Sequence, residues 1–223
     1  MPRQLLVRDN LRALEFDDVV CRRIFDVHHE FTFIQVGAFD GVVQDPLQKY
    51  IERENWRGVL VEPQARAAAK LRKLYHNNDR IKVLQVAVDA TSGKRTLFTI
   101  NSEAAPAWAG ALASFHREVI LKHSHQISQV EAMIEEEIVD CVTFDSVLDS
   151  FRMGKLDLLQ IDTEGADGFI LSLFPFHRLR PAIVHFEISH LNMKQREECL
   201  GRLVGFGYRL APSGSQDMLA VLS

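Results

Sequence analysis

"FIQVGAFDG", residues Phe33–Gly41, sets an apolar run directly against a turn that holds two glycines and an aspartate. Glycine at a strand end adopts backbone angles closed to other residues and lets backbone N–H groups come close to a ligand. A strand can also end on glycine merely to turn the chain. The segments on either side decide between these readings.

Working outward, the same texture returns. "FTFIQVG" (31–37), "GVLVE" (58–62), "IKVLQVAV" (81–88), "LDLLQID" (156–162) and "AIVHFEI" (182–188) are short, nearly continuous apolar runs. Strands buried on both faces read this way. Between them, "DPLQKYIEREN" (45–55), "QARAAAKLRKLY" (64–75), "FDSVLDSF" (144–151), "ADGFILSLF" (166–174) and "NMKQREECLGRLV" (192–204) place apolar residues three and four apart among charges, which predicts helices. Strand and helix in alternation imply right-handed parallel crossovers and a doubly wound α/β sheet. "YRLAPS" (208–213) and "DMLAVL" (217–222) are joined only by Gly214–Gln216, a link short enough to require an antiparallel hairpin.

Residues 10–29 read as a helix ahead of the first strand. The expected organisation is therefore an N-terminal helical extension, 1–30, and a single domain, 31–223. The stretch 101–137, between the strands "KRTLFTI" (94–100) and "EIVDCVTF" (137–144), is longer than a crossover needs. It is expected to be a substrate lid or a surface elaboration.

Composition narrows the function. The chain has 223 residues, 47% hydrophobic, enough for one sizeable core. A net charge of −4 supplies no global basic field, which argues against a nucleic-acid partner. Cys21, Cys141 and Cys199 are odd in number and lack CxxC spacing, so they are expected to be reduced and packed. Arg3, Arg8, Arg12, Asp17 and Asp18 interrupt the opening residues, and no apolar run reaches the roughly eighteen residues of a membrane span. A cytoplasmic protein acting on small molecules is expected, with room for a homo-oligomer.

In such sheets ligands bind beyond the carboxyl ends of the strands. Those ends are Gly37–Gly41, then Glu62 with Pro63, Ala87–Asp89, Asp162–Gly165, and His185, Glu187 and His190. Acids recur there, although each could instead cap the following helix. Glu62 lies 21 positions after Gly41, where an acid in nucleotide-binding folds accepts from ribose hydroxyls. GAFDG lacks the GxGxxG of a pyrophosphate cradle, so a nucleoside without phosphates is favoured over NAD or FAD.

Taken together, "FIQVGAFDG", "GVLVEPQARAAAKL", "VAVDATSGKRTLF", "VTFDSVLDSF", "LDLLQIDTEGADGFIL" and "RPAIVHFEISHL" resemble, in order and spacing, the FkbM family of S-adenosylmethionine-dependent methyltransferases over residues 31–222. The resemblance implies a class I methyltransferase, Rossmann-like fold, with a mostly parallel seven-stranded sheet and an antiparallel C-terminal hairpin. It implies methyl transfer to a hydroxyl of a small molecule such as a sugar, a glycolipid or polysaccharide unit, or a natural product. On that pattern Gln35, Gly37, Ala38, Phe39, Asp40, Gly41, Glu62, Pro63, Ala87, Val88 and Asp162 are expected to bind the cofactor. Gln35 stands where many class I enzymes carry an acid, and Gln160 replaces a lysine common in the family.

An alcohol is a poor nucleophile and needs a general base or a cation that stabilises alkoxide character. Asp162 and Glu164, then Glu187 and His185 on one face of the fifth strand, are the catalytic candidates. Acids at adjacent strand ends are also hard-oxygen ligands for a divalent cation, with Asp162 and Glu187 the pair expected to share it. The alternatives are a cofactor-binding module without catalysis and a nucleotide-dependent oxidoreductase. His116, His123 and His125 are read as solvated or satisfied, Glu131 and Glu135–Glu137 as a solvated face, and Trp56 and Trp108 as packing.

Overall fold

A computed structural model describes residues 13–100, 105–151 and 154–223; Arg3, Arg8, Arg12, the first part of the extension at 1–30 and the start of the segment at 101 lie outside the described residues. The chain runs α1 (Phe16–Asp26), β1 (Thr32–Val36), α2 (Gln48–Glu54), β2 (Arg57–Val61), α3 (Ala65–Leu74), β3 (Ile81–Leu84), β4 (Ala87–Val88), β5 (Gly93–Ile100), β6 (Ala113–Ser114), α4 (Arg117–Leu121) and β7 (Ile134–Val142). It continues through α5 (Phe144–Phe151), β8 (Leu158–Ile161), α6 (Asp167–Leu173), β9 (Ile183–Glu187), α7 (Met193–Gly205), β10 (Tyr208–Ser213) and β11 (Asp217–Leu222).

Seven strands form the main sheet in the order β10-β11-β9-β8-β1-β2-β3. Neighbours from β3 to β9 pair in parallel, and β11 pairs antiparallel with both β9 and β10. This is the class I methyltransferase arrangement, and the C-terminal hairpin lies where its three-residue link requires. Because β1 and β8 are buried on both faces, their alternate side chains feed two separate cores. Ile34, Val36, Leu159 and Ile161 face α5, α6 and α7. Phe33 and Leu158 face α1, α2 and α3, where Trp56 is stacked between Phe31 and Tyr50 as a packing residue.

Three expectations change. The apolar run 81–88 is not one strand: β3 ends at Leu84, and β4 leaves the main sheet to pair with β7. With β5 and β6 they make a second sheet, β4-β7-β5-β6. Within the expected lid, β7 starts at Ile134, so Glu135–Glu137 lie on a strand, and Glu137 accepts from the Ala65 backbone N–H at 3.0 Å instead of being only solvated. The N-terminal helix is shorter than the expected 10–29, and its Phe16 and Val20 enter the same core as Phe33. Cys141 and Cys199 are buried, whereas Cys21 is exposed, with its Sγ 3.8 Å from the Tyr50 hydroxyl.

Candidate active site

The pocket lies where the strand order reverses, beyond the carboxyl ends of β1 and β8. Gly37 is the reason those ends can meet. Its φ is +83°, its N–H donates to the Val61 carbonyl at 2.9 Å, and a Cβ there would lie 1.7 Å from the Asp162 carbonyl oxygen. The glycine that opens the turn is thus required by the close approach of the next strand's backbone.

Glu62, at the end of β2, forms one side of the floor. It is 3% exposed, and both of its oxygens accept from backbone: Oε2 from Phe39 N–H and Oε1 from Gln64 N–H, each at 2.8 Å. These bonds aim the carboxylate and leave lone pairs for a ligand. Burial outweighs the two donors and pushes its carboxyl up to about 7. Gln35 lies against the Asp45 carboxylate, which also accepts from the Leu47 N–H at 2.7 Å, while the Gln35 carbonyl oxygen is buried without a partner.

Asp162, at the end of β8, faces the opposite side of the pocket. Its backbone continues the ladder by donating to Val36 O at 2.9 Å, and among the described residues its carboxylate has no hydrogen-bond partner. Its walls, and then Asp167, Glu164, Glu187 and Asp217, push its carboxyl up to about 8. The carboxylate is open to the water of the pocket, and the negative charge of the four acids around it holds its proton on. Asp167 is buried and accepts from Thr163 N–H, Thr163 Oγ1–H and Gly165 N–H at 3.2–3.3 Å, which holds the turn that carries Glu164 at a left-handed φ of 51°. Its carboxyl is pushed up to about 6, by burial first and then by Glu187.

Of the expected cofactor residues, Gln35, Gly37, Ala38, Phe39, Glu62, Pro63, Ala87, Val88 and Asp162 all line this pocket. Asp40 and Gly41 do not. Asp40 is consumed by its own turn, accepting from Val42 and Val43 N–H and pairing with Lys70 at 3.1 Å, and Gly41 packs over Leu71. Asp162 and Glu164 line the pocket, but His185 and Glu187 stand away from it. His185 is buried on the α1 side, its ring 4.6 Å from that of Phe16, and its Nδ1 meets Gln160 Oε1 at 2.7 Å. Desolvation holds its imidazole down to about 4, so it is neutral.

Three contributions escaped the sequence reading. Asp217 opens β11, and because β11 runs antiparallel its first residue falls on the edge where the parallel strands end. That inversion was available once the hairpin was recognised. Asp167 was hidden by its place at a helix start, and Ala111, Ala113, Ser114 and Phe115 by their distance in sequence from the strands whose pocket they close. Within 105–133, Ala111–Phe115 supply pocket-lining residues, and Leu112, Ile120 and Ile127 form a small core with Ile100. His116 is exposed, as expected, and Trp108 packs against that core.

A family model described as the methyltransferase FkbM domain matches residues 35–213. No curated protein matches the chain. Among solved structures, a methyltransferase FkbM from Methylobacillus flagellatus KT is similar with a TM-score of 0.51 and 10% identity, over 86% of this chain and 43% of that one. The METTL16 methyltransferase domain is similar with a TM-score of 0.50 and 14% identity, over 98% of this chain and 70% of that one. At these identities the likeness speaks for the fold.

Proposed function

Because the chain belongs to the FkbM methyltransferase domain family, we propose that it transfers the methyl group of S-adenosylmethionine to a hydroxyl oxygen of a small molecule. The observation that carries this reading is the polarity of the pocket. One side presents an acid fixed by two backbone donors, the other an acid with no hydrogen-bond partner among the described residues.

The residues fit the donor. Glu62, aimed by Phe39 and Gln64, retains lone pairs for two ribose hydroxyls. The orphaned Gln35 carbonyl oxygen is an acceptor for an ammonium group. Pro63, Ala87, Val88 and Leu97 supply the apolar walls an adenine ring requires. When bound, S-adenosylmethionine supplies an electrophilic methyl group on a sulfonium. Asp162 accepts the proton of the acceptor hydroxyl at its free carboxylate, and the neighbouring acids make that carboxylate a better base. Phe115 and the segment around it exclude water that would compete with the acceptor.

The test is to incubate the protein with S-adenosylmethionine and a panel of sugars, glycosides and other hydroxylated metabolites, following S-adenosylhomocysteine and product mass. Formation of S-adenosylhomocysteine with a product heavier by one methylene, and labile to O-demethylation, is expected. Titration that shows binding of NAD and none of S-adenosylhomocysteine would overturn the donor assignment. Binding of S-adenosylhomocysteine, with methylation found only on nitrogen or carbon, would overturn the hydroxyl assignment.

A further inference from the structure

Beside the pocket, on the edge away from Glu62, the ends of β8 and β9 bring three potential ligands together. The ligand atoms of Glu164, Glu187 and His190 all lie within 4.8 Å of one another. His190 Nε2 stands 3.7 Å from Glu164 Oε2 and 3.4 Å from Glu187 Oε1, so the imidazole sits between two carboxylates from different strand ends. Glu187 is in turn oriented by the Ser189 hydroxyl, which donates to its Oε1, the kind of outer contact that fixes a ligating carboxylate.

The charge balance points the same way. Asp162, Glu164, Asp167, Glu187 and Asp217 gather at these strand ends, and among the described residues no lysine or arginine pairs with any of them. A further observation concerns Asp217, which is in register with Glu187. His185 is 5% exposed; with Nδ1 committed to Gln160, its Nε2 has no hydrogen-bond partner and faces Asp217 at 3.9 Å. A buried lone pair turned toward an uncompensated acidic group marks a place built for something positive.

We propose that Glu164, Glu187 and His190 form a site for a divalent cation of mixed oxygen and nitrogen preference, such as Mn²⁺. Three protein ligands leave coordination positions for water or for an oxygen of the acceptor. The ligand set differs from the Asp162–Glu187 pair expected from the strand ends: Glu187 stays, and Asp162 remains free as the base. A role for the cation in holding the acceptor hydroxyl rests on the methyltransferase reading, whereas the site itself does not.

The test uses the full chain without donor or acceptor, titrated with Mn²⁺ while free Mn²⁺ is followed by electron paramagnetic resonance. One equivalent bound by the wild type is expected, with Kd raised by about 10–100-fold or more in Glu187→Gln and in His190→Gln. Melting curves establish that each variant is folded. His190 is partly exposed, so its variant answers the question even if Glu187→Gln does not fold. No Mn²⁺ bound by the wild type, or binding unchanged in both variants, would overturn the site. Binding that behaves as expected in a protein that forms no S-adenosylhomocysteine would leave the site standing and strike the methyltransferase reading alone.

Discussion

Asp157 and Asp162 flank the same four-residue strand, β8, and their surroundings are opposite. Asp157, at the start, is 1% exposed and saturated: Arg23 donates to it at 2.8 Å, His29 Nε2 lies at 3.1 Å, and the Thr32 backbone N–H and hydroxyl donate at 3.0 and 3.2 Å. Asp162, at the end, has no hydrogen-bond partner among the described residues and four acids for neighbours. A charge that serves the fold is given partners that satisfy it, because an unpaired buried charge costs several kcal/mol. A carboxyl that faces pocket water with no protein partner, and whose proton is held by neighbouring acids, is left available to a ligand. The two ends of one strand therefore separate architecture from chemistry more clearly than residue type does.

That contrast can be broken. The largest effect belongs to Asp162→Asn, which deletes the charge and keeps the volume. Turnover under saturating substrates should fall by about 10²–10⁴, the scale of a lost general base, with the melting curve nearly unchanged. Near-normal turnover would return Asp162 to the structural class.

Next comes the mirror experiment, Asp157→Ala. Removing an acceptor shared by four donors should cost about 2–4 kcal/mol of stability and lower Tm by roughly 5–10 °C. Turnover measured well below Tm should change little; a large loss in a folded variant would mean the two ends are not separable.

Glu62 sharpens the comparison because it belongs to both classes, buried and bonded like Asp157 yet lining the pocket like Asp162. In Glu62→Gln, the affinity for S-adenosylhomocysteine should fall by about 1.5–3 kcal/mol, roughly 10- to 150-fold in Kd by calorimetry. An unchanged Kd would assign Glu62 to the turn alone.

The smallest effect is one of pH. The Glu62 carboxyl is raised to about 7, above the roughly 4.3 of an unfolded chain, so the protonated form is favoured in the ligand-free fold. Its contribution to stability is full below about pH 4.3 and is lost as pH rises through 7. Ribose hydroxyls donate to the carboxylate, so binding of S-adenosylhomocysteine should tighten several-fold between about pH 6 and pH 8, and this part of the dependence should vanish in Glu62→Gln. Equal slopes in the two proteins would locate the titration elsewhere.

Legibility in the sequence follows the same division. β1, β2, β8 and β9 were readable because burial on both faces leaves an unbroken apolar run, and the hairpin because three residues admit one geometry. The break between β3 and β4 was not, since Gln85 and Val86 carry no turn signal and the departure is set by the partner strand β7, over fifty residues later. At the site, Asp162 and Glu62 were visible as acids at strand ends. Asp40 looked identical in sequence, but its oxygens are taken by the Val42 and Val43 N–H groups and by Lys70. Whether an acid is spent locally depends on the backbone two and three residues on, which pattern alone does not display.

The long β5–β7 ladder, paired from Gly93–Cys141 to Ile100–Ile134, carries a segment that packs mainly on itself. A unit with a private core can open without unfolding the sheet beneath it. Amide hydrogens between Ala107 and Met133 should therefore exchange with solvent long before those of β1 and β8, and a bound donor should slow them, since Ala111–Phe115 close its pocket. Were exchange in this unit to match the rate of product release, turnover would be timed by a small local core rather than by the strands that hold the chemistry.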